Sequence, residues 1–74
     1  MENVKNLKIG YDNIKYCYNF LIEHKNNDIE TWLDLYKNVS VLEYRSKDTE
    51  LYYTIQSLSE LIIDEIIKIK YKEC

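Results

Sequence analysis

The sequence predicts a small all-α protein, an antiparallel three-helix bundle or helical hairpin, formed by a single domain over residues 1–74. Three observations predict it. Apolar residues recur with a helical period in three successive segments. The chain has no proline and one glycine, Gly10, which argues against the many tight turns of a sandwich or barrel. The connections between the periodic segments are short, which makes sequential helices antiparallel. Helices are expected over about 3–25, 28–44 and 47–73.

The stretch 51–69 organises the rest. Leu51, Ile55, Leu58, Ile62, Ile66 and Ile69 are spaced by 4, 3, 4, 4 and 3 residues, the period of a helix and not of a strand. A second row, Tyr52, Leu61, Ile63 and Ile67, runs beside it. A helix apolar over more than one stripe is expected to be buried on two sides, against two helices of its own chain or against one helix and a partner. Asp64, Glu65 and Lys68 mark its wet strip, with an i,i+4 pair expected between Asp64 and Lys68. These charges stop the run well short of the ~20 apolar residues of a membrane span, so no membrane is expected.

In the first segment Val4, Leu7, Tyr11, Ile14, Tyr18 and Leu21 step by 3, 4, 3, 4 and 3, a heptad seam. This seam is expected to join two copies of the chain as a homodimer, with Cys17 and Phe20 flanking it. Gly10 costs roughly 1 kcal/mol relative to alanine inside a helix, and it would admit a neighbouring helix closely. A continuous helix is preferred to one that starts at Asp12 after an extended lead-in.

Asn26 and Asn27 end the first helix. Asn27 is the expected N-cap of the second, with Glu30 completing a capping-box pattern. Asp28 and Glu30 suit the first turn, where the helix dipole favours anions. Ile29, Trp32, Leu33, Tyr36, Val39 and Leu42 or Glu43 carry the period. Asn38 to Val41 are modest helix formers. They leave an α+β alternative with a short hairpin at 39–54 that turns on 46–49. The missing turn glycine and the unbroken stripe from Leu51 favour the helix, with Ser46 or Asp48 capping the third.

A chain of 74 residues buries only roughly 60% of its unfolded surface, so helix packing or oligomerisation has to add stability. The only cysteines are Cys17 and Cys74, and no apolar leader follows the first charges. A reducing cytoplasm with free thiols is the expectation. The net charge is -3, made of +1 over 1–27, -6 over 28–65 and +2 over 66–74. An acidic middle repels phosphate backbones and attracts basic surfaces.

No motif for catalysis stands out. There is no Ser-His-Asp set, glycine-rich phosphate loop or CxxC. The carboxylates Glu60, Asp64 and Glu65 read as solvated. Cys17 and His24, the single histidine, lie two helical turns apart, about 10 Å, too far for one metal. No enzyme activity, metal or cofactor is expected.

The aromatic residues are the informative ones, 14% of the chain. Tyr16, Tyr44, Tyr53 and Tyr71 fall off the main stripes. Trp32 and Tyr36 stand one turn apart among Asp28, Glu30 and Asp34, an aromatic centre with an acidic rim that suits a basic surface of another protein. Tyr16 and Tyr53 join this expected partner-binding set. The expected function is a non-enzymatic protein–protein interaction module, acting as regulator, adaptor or inhibitor. Its size and its Lys-, Asn-, Ile- and Tyr-rich composition fit an accessory protein of a phage or mobile element. One alternative is a small nucleic-acid-binding regulator, if Lys5, Lys8, Lys15, Lys68, Lys70 and Lys72 gather on one side. The single arginine and the acidic middle weigh against it. The others are an acidic nucleic-acid mimic that inhibits a nucleic-acid enzyme, and a purely structural self-associating helix spacer.

Overall fold

Three helices follow one another: α1 (Val4–Glu23), α2 (Ile29–Arg45) and α3 (Tyr52–Glu73). The computed structural model describes the backbone of residues 3–73 and the side chains of 3–72; the thiol expectation for Cys74 lies outside the described residues. No strand occurs among them, so the hairpin alternative at 39–54 is not adopted. Helix α2 is the middle layer. It packs along both α1 and α3, and those two meet only along a narrow margin. The body is elongated, 43 × 19 × 16 Å.

Each helix is bounded by local chemistry. The Asn3 side chain accepts a 2.9 Å hydrogen bond from the Lys5 amide and starts α1. The helix runs unbroken through Gly10, where α2 comes close. A Cβ there would stand 3.2 Å from Leu42 Cδ1. At the other end the Lys25 amide donates to the Ile22 carbonyl (3.1 Å) and the Asn26 amide to the Leu21 carbonyl (3.0 Å). This is a complete Schellman motif, and its left-handed position is Lys25, with φ of 49°.

A side chain with a Cβ pays about 1–2 kcal/mol in that conformation, and glycine avoids the cost. Lys25→Gly is therefore expected to stabilise the protein by about 1 kcal/mol, raising Tm by about 4–8 °C in a domain of this size. A thermal melt followed by circular dichroism checks it, and an unchanged or lower Tm contradicts it.

The loop after α1 is tied down by Asn26. Its side-chain Oδ1 accepts from the Asp28 amide (2.8 Å), and its carbonyl accepts from Trp32 Nε1 (3.0 Å). The N-cap of α2 is Asp28, one residue later than expected at Asn27. Asp28 accepts from the Glu30 amide at 3.2 Å and from the Thr31 hydroxyl at 2.8 Å. A short carboxylate directly before the helix reaches both donors.

The start of α3 departs most from expectation, at Tyr52 and not at 47. Ser46, expected as a cap for α3, instead closes α2. It is fully buried and its hydroxyl donates to the Glu43 carbonyl at 2.9 Å. Thr49 then turns the chain. Its amide and its hydroxyl both donate to the Ser46 carbonyl (2.9 and 2.8 Å), and the hydroxyl oxygen accepts from the Leu51 amide (3.3 Å).

The core joins Leu7 and Leu21 of α1, Trp32, Leu35, Val39 and Leu42 of α2, and Ile55, Leu58, Ile62 and Ile69 of α3. Tyr11, Ile14, Tyr18, Leu51 and Ile66 pack against it. Of the first row, Ile55, Leu58, Ile62 and Ile69 are buried, Ile66 is half-buried, and Leu51 is half-buried just ahead of α3. In the second row Leu61 and Ile67 are exposed, and only Tyr52 and Ile63 are half-buried. The pair on the wet strip is Glu65–Lys68, at 3.4 Å, in place of Asp64–Lys68.

The α1 seam changes owner. Leu7, Tyr11, Ile14, Tyr18 and Leu21 are taken up by the core of the same chain, and Val4 at its start is exposed. Only Leu7 and Leu21 are buried there, and Tyr11, Ile14 and Tyr18 are half-buried. No described helix is long and apolar enough to cross a membrane.

Candidate functional site

The expected partner-binding residues separate into three groups. Trp32 lies in the core. It is 1% exposed, its indole nitrogen is bonded to Asn26, and Tyr18 meets it edge-on with ring centroids 5.9 Å apart. With so little of the ring exposed it serves the core first, and it meets the surface only at the back of a concavity shared with Asn26, Glu65 and Lys68. Asp28 is likewise engaged as the α2 cap. Burial pushes the Tyr18 phenol above its ordinary pKa. Glu65 and Asp64 push the same way against Lys68, so Tyr18 stays neutral beside the core.

A second group forms around the turn that joins α2 to α3. Tyr36, Tyr44 and Tyr52 line one concavity of about 190 Å³ together with Ser40, Glu43 and Lys47. Tyr53 meets Tyr52 edge-on at 5.4 Å, and Lys47 Nζ stands 5.4 Å from the centre of the Tyr44 ring. Tyr44 and Tyr53 are 73% and 74% exposed. Asp48 and Glu50 are exposed in the turn, and Glu43 is half-buried beside them. Four of the eight tyrosines thus gather along the C-terminal half of α2 and the turn after it, among charges of both signs: Glu43, Asp48 and Glu50 with Arg45 and Lys47. Tyr44 and Tyr52 were not singled out as contacts from sequence. The signal was local: tyrosines at 44, 52 and 53 bracket the turn.

The third group is an open groove of about 400 Å³ between α1 and α2. Tyr16, Cys17 and Phe20 form one wall, Thr31, Asp34 and Asn38 the other, and Leu21 and Leu35 the floor. Tyr16 and Asp34 are the two expected contact residues found here, and Glu30 is exposed nearby on α2. The side chains of Phe20 and His24 stack at 4.1 Å. His24 Nδ1 lies 2.9 Å from the Phe20 carbonyl, which requires the Nδ1-protonated tautomer. Among the described residues no three His, Cys, Asp or Glu side chains gather as metal ligands.

The lysines do not converge on one face. With three alternating helices, the N-terminal end of α1 lies beside the end of α2, as the Gly10–Leu42 approach shows. Lys68 and Lys72 lie at the opposite end, where they share a concavity with Lys25. Lys5 and Lys8 are therefore far along the 43 Å body from Lys68 and Lys72.

The chain matches no protein family, no curated protein and no solved structure.

Proposed function

We propose that the chain is a non-catalytic protein-binding module that docks a basic segment of another protein on the tyrosine cluster at the α2–α3 turn. The observation that carries this reading is the gathering of Tyr36, Tyr44, Tyr52 and Tyr53 around one turn, two of them more than 70% exposed. Tyrosine supplies large contact area at low side-chain entropy cost and keeps a hydroxyl for hydrogen bonding, which is why it dominates binding hot spots. Glu43, Asp48 and Glu50 outnumber Arg45 and Lys47 by one at this turn, an acidic excess that favours a basic partner and helps fix its register. By occupying that partner's surface the module acts as a regulator, adaptor or inhibitor.

The experiment is affinity capture from a lysate of the host cell, with and without nuclease, using the wild-type chain and Tyr44→Ala/Tyr53→Ala in parallel. Both side chains point to solvent, so the variant keeps its fold. One stoichiometric protein that survives nuclease and is lost with the double variant is the expected result. Unchanged capture by the variant rejects this face, and capture that vanishes with nuclease favours the nucleic-acid reading.

A further inference from the structure

We infer that the outer face formed by α1 and α2 is a homodimer surface, on which a second copy of the chain lies with its α1 antiparallel to the first. This is a different face from the tyrosine cluster, so the two readings stand or fall separately. It is also distinct from the heptad seam, most of which faces the core of its own chain.

The face starts from spacing. Ile9, Tyr16 and Phe20 are separated by seven and four residues and so share one side of α1. They are 51%, 71% and 48% exposed. Asn13, one turn after Ile9, completes the stripe, so it runs from 9 to 20 without a charge in a chain that is 31% charged. The stripe borders the groove floored by Leu21 and Leu35. Across it α2 adds Asn38 and, one turn on, Val41, which is 58% exposed.

The charges around this face choose the occupant. The N-terminal part of α1 carries Lys5 and Lys8, followed by Asp12 and Lys15. The C-terminal end of α1 carries Glu23, and the adjoining start of α2 carries Glu30 and Asp34, with Lys37 one turn further on. A two-fold interface sets each patch against its own copy, so it requires self-complementarity. Antiparallel α1 helices meet that requirement. The second α1 then runs in the direction of α2, with its Lys5 and Lys8 over Glu30 and Asp34 and its Glu23 toward Lys5 of the first copy. In that register Ile9 of each copy comes opposite the groove of the other, and Phe20 of each copy lies level with Lys8 and Ile9 of its partner. A parallel arrangement would set Lys5 against Lys5 and Glu23 against Glu23.

The face is also large enough. Helix α1 has 20 residues, about 30 Å, and two helices side by side are about 20 Å across. It can bury about 600 Å² per copy, which clears the roughly 1,000 Å² total of a specific interface.

Sedimentation equilibrium at about 100 µM, a concentration that saturates a micromolar dimer, tests the assignment. The wild-type chain is expected at twice its 9.0 kDa mass. Phe20→Glu is expected at the single-chain mass with its helical circular dichroism intact, and Tyr53→Glu, on another face, stays dimeric. Glu30→Lys/Asp34→Lys is expected to weaken association at least tenfold, and adding Lys5→Glu/Lys8→Glu restores it. A wild-type monomer overturns the proposal and leaves the face to a different protein. A dimer that survives Phe20→Glu overturns it too, and failure of the charge exchange to restore association overturns the antiparallel pairing.

Discussion

Trp32→Ala is expected to unfold most of the protein at physiological temperature. Replacing a buried tryptophan by alanine costs about 3–5 kcal/mol in lost transfer energy and residual cavity, and Trp32 is 1% exposed. The substitution also leaves the Asn26 carbonyl without its indole donor, another ~1 kcal/mol. A chain of 74 residues has roughly 4–11 kcal/mol in total, so the loss is comparable with the whole. The damage spreads beyond one side chain, because Asn26 fixes the α1–α2 loop and Tyr18 leans on the indole edge. Trp32→Phe retains much of the volume and gives up the hydrogen bond, so about 1–2 kcal/mol is expected there. Urea unfolding followed by circular dichroism measures both. An alanine variant within 1 kcal/mol of wild type would be incompatible with the described core.

Two isoleucines one turn and a fraction apart on α3 are expected to differ by more than tenfold in their effect on the folding equilibrium. Ile62 is fully buried in the core, so Ile62→Ala costs about 2–5 kcal/mol. Ile67 is 46% exposed on the second row, and Ile67→Ala stays within about 0.5 kcal/mol, the range of ordinary surface substitutions. Alanine's better helix propensity offsets part of even that loss. Converted to melting temperature, each kcal/mol is about 4–8 °C, so the pair is resolved by one thermal scan. Equal losses at the two positions would mean that both sides of α3 are covered.

The same pair shows where sequence reasoning reaches its limit. The stripe Leu51–Ile55–Leu58–Ile62–Ile66–Ile69 was legible because its period admits a single helix face, and its central members are buried. What lies over the second row was not legible, because periodicity reports that a face is apolar and not what covers it. The α1 seam shows the same limit: heptad spacing looks alike whether the facing helix belongs to the same chain or to another, and here most of it faces the core of its own chain. In α2 the buried line is Trp32, Leu35, Val39, Leu42 and Ser46, at steps of 3, 4, 3 and 4. Leu33 and Tyr36 fit the period nearly as well, and only the position of the neighbouring helices decides between them.

Trp32 was drawn to the surface by its acidic neighbours. Those acids are there for other reasons, Asp28 as the helix cap and Glu30 and Asp34 on the solvent side. The tyrosines off the stripes were read well. Tyr16, Tyr44, Tyr53 and Tyr71 are all more than 70% exposed. Their grouping was beyond reach, because it depends on a turn that two candidate caps, Ser46 and Asp48, placed differently from the Thr49 turn that forms.

The division of aromatic residues between core and surface is the claim on which the rest stands, and the intrinsic fluorescence of Trp32 tests it most directly. Trp32 is the chain's single tryptophan, so the signal has one source. The described core requires emission shifted to the blue of free tryptophan and resistant to quenching by acrylamide, with both properties lost together as urea unfolds the helices. Red-shifted emission that is freely quenched in the folded protein would put Trp32 at the surface. The core and the placement of the tyrosine cluster outside it would then both be wrong.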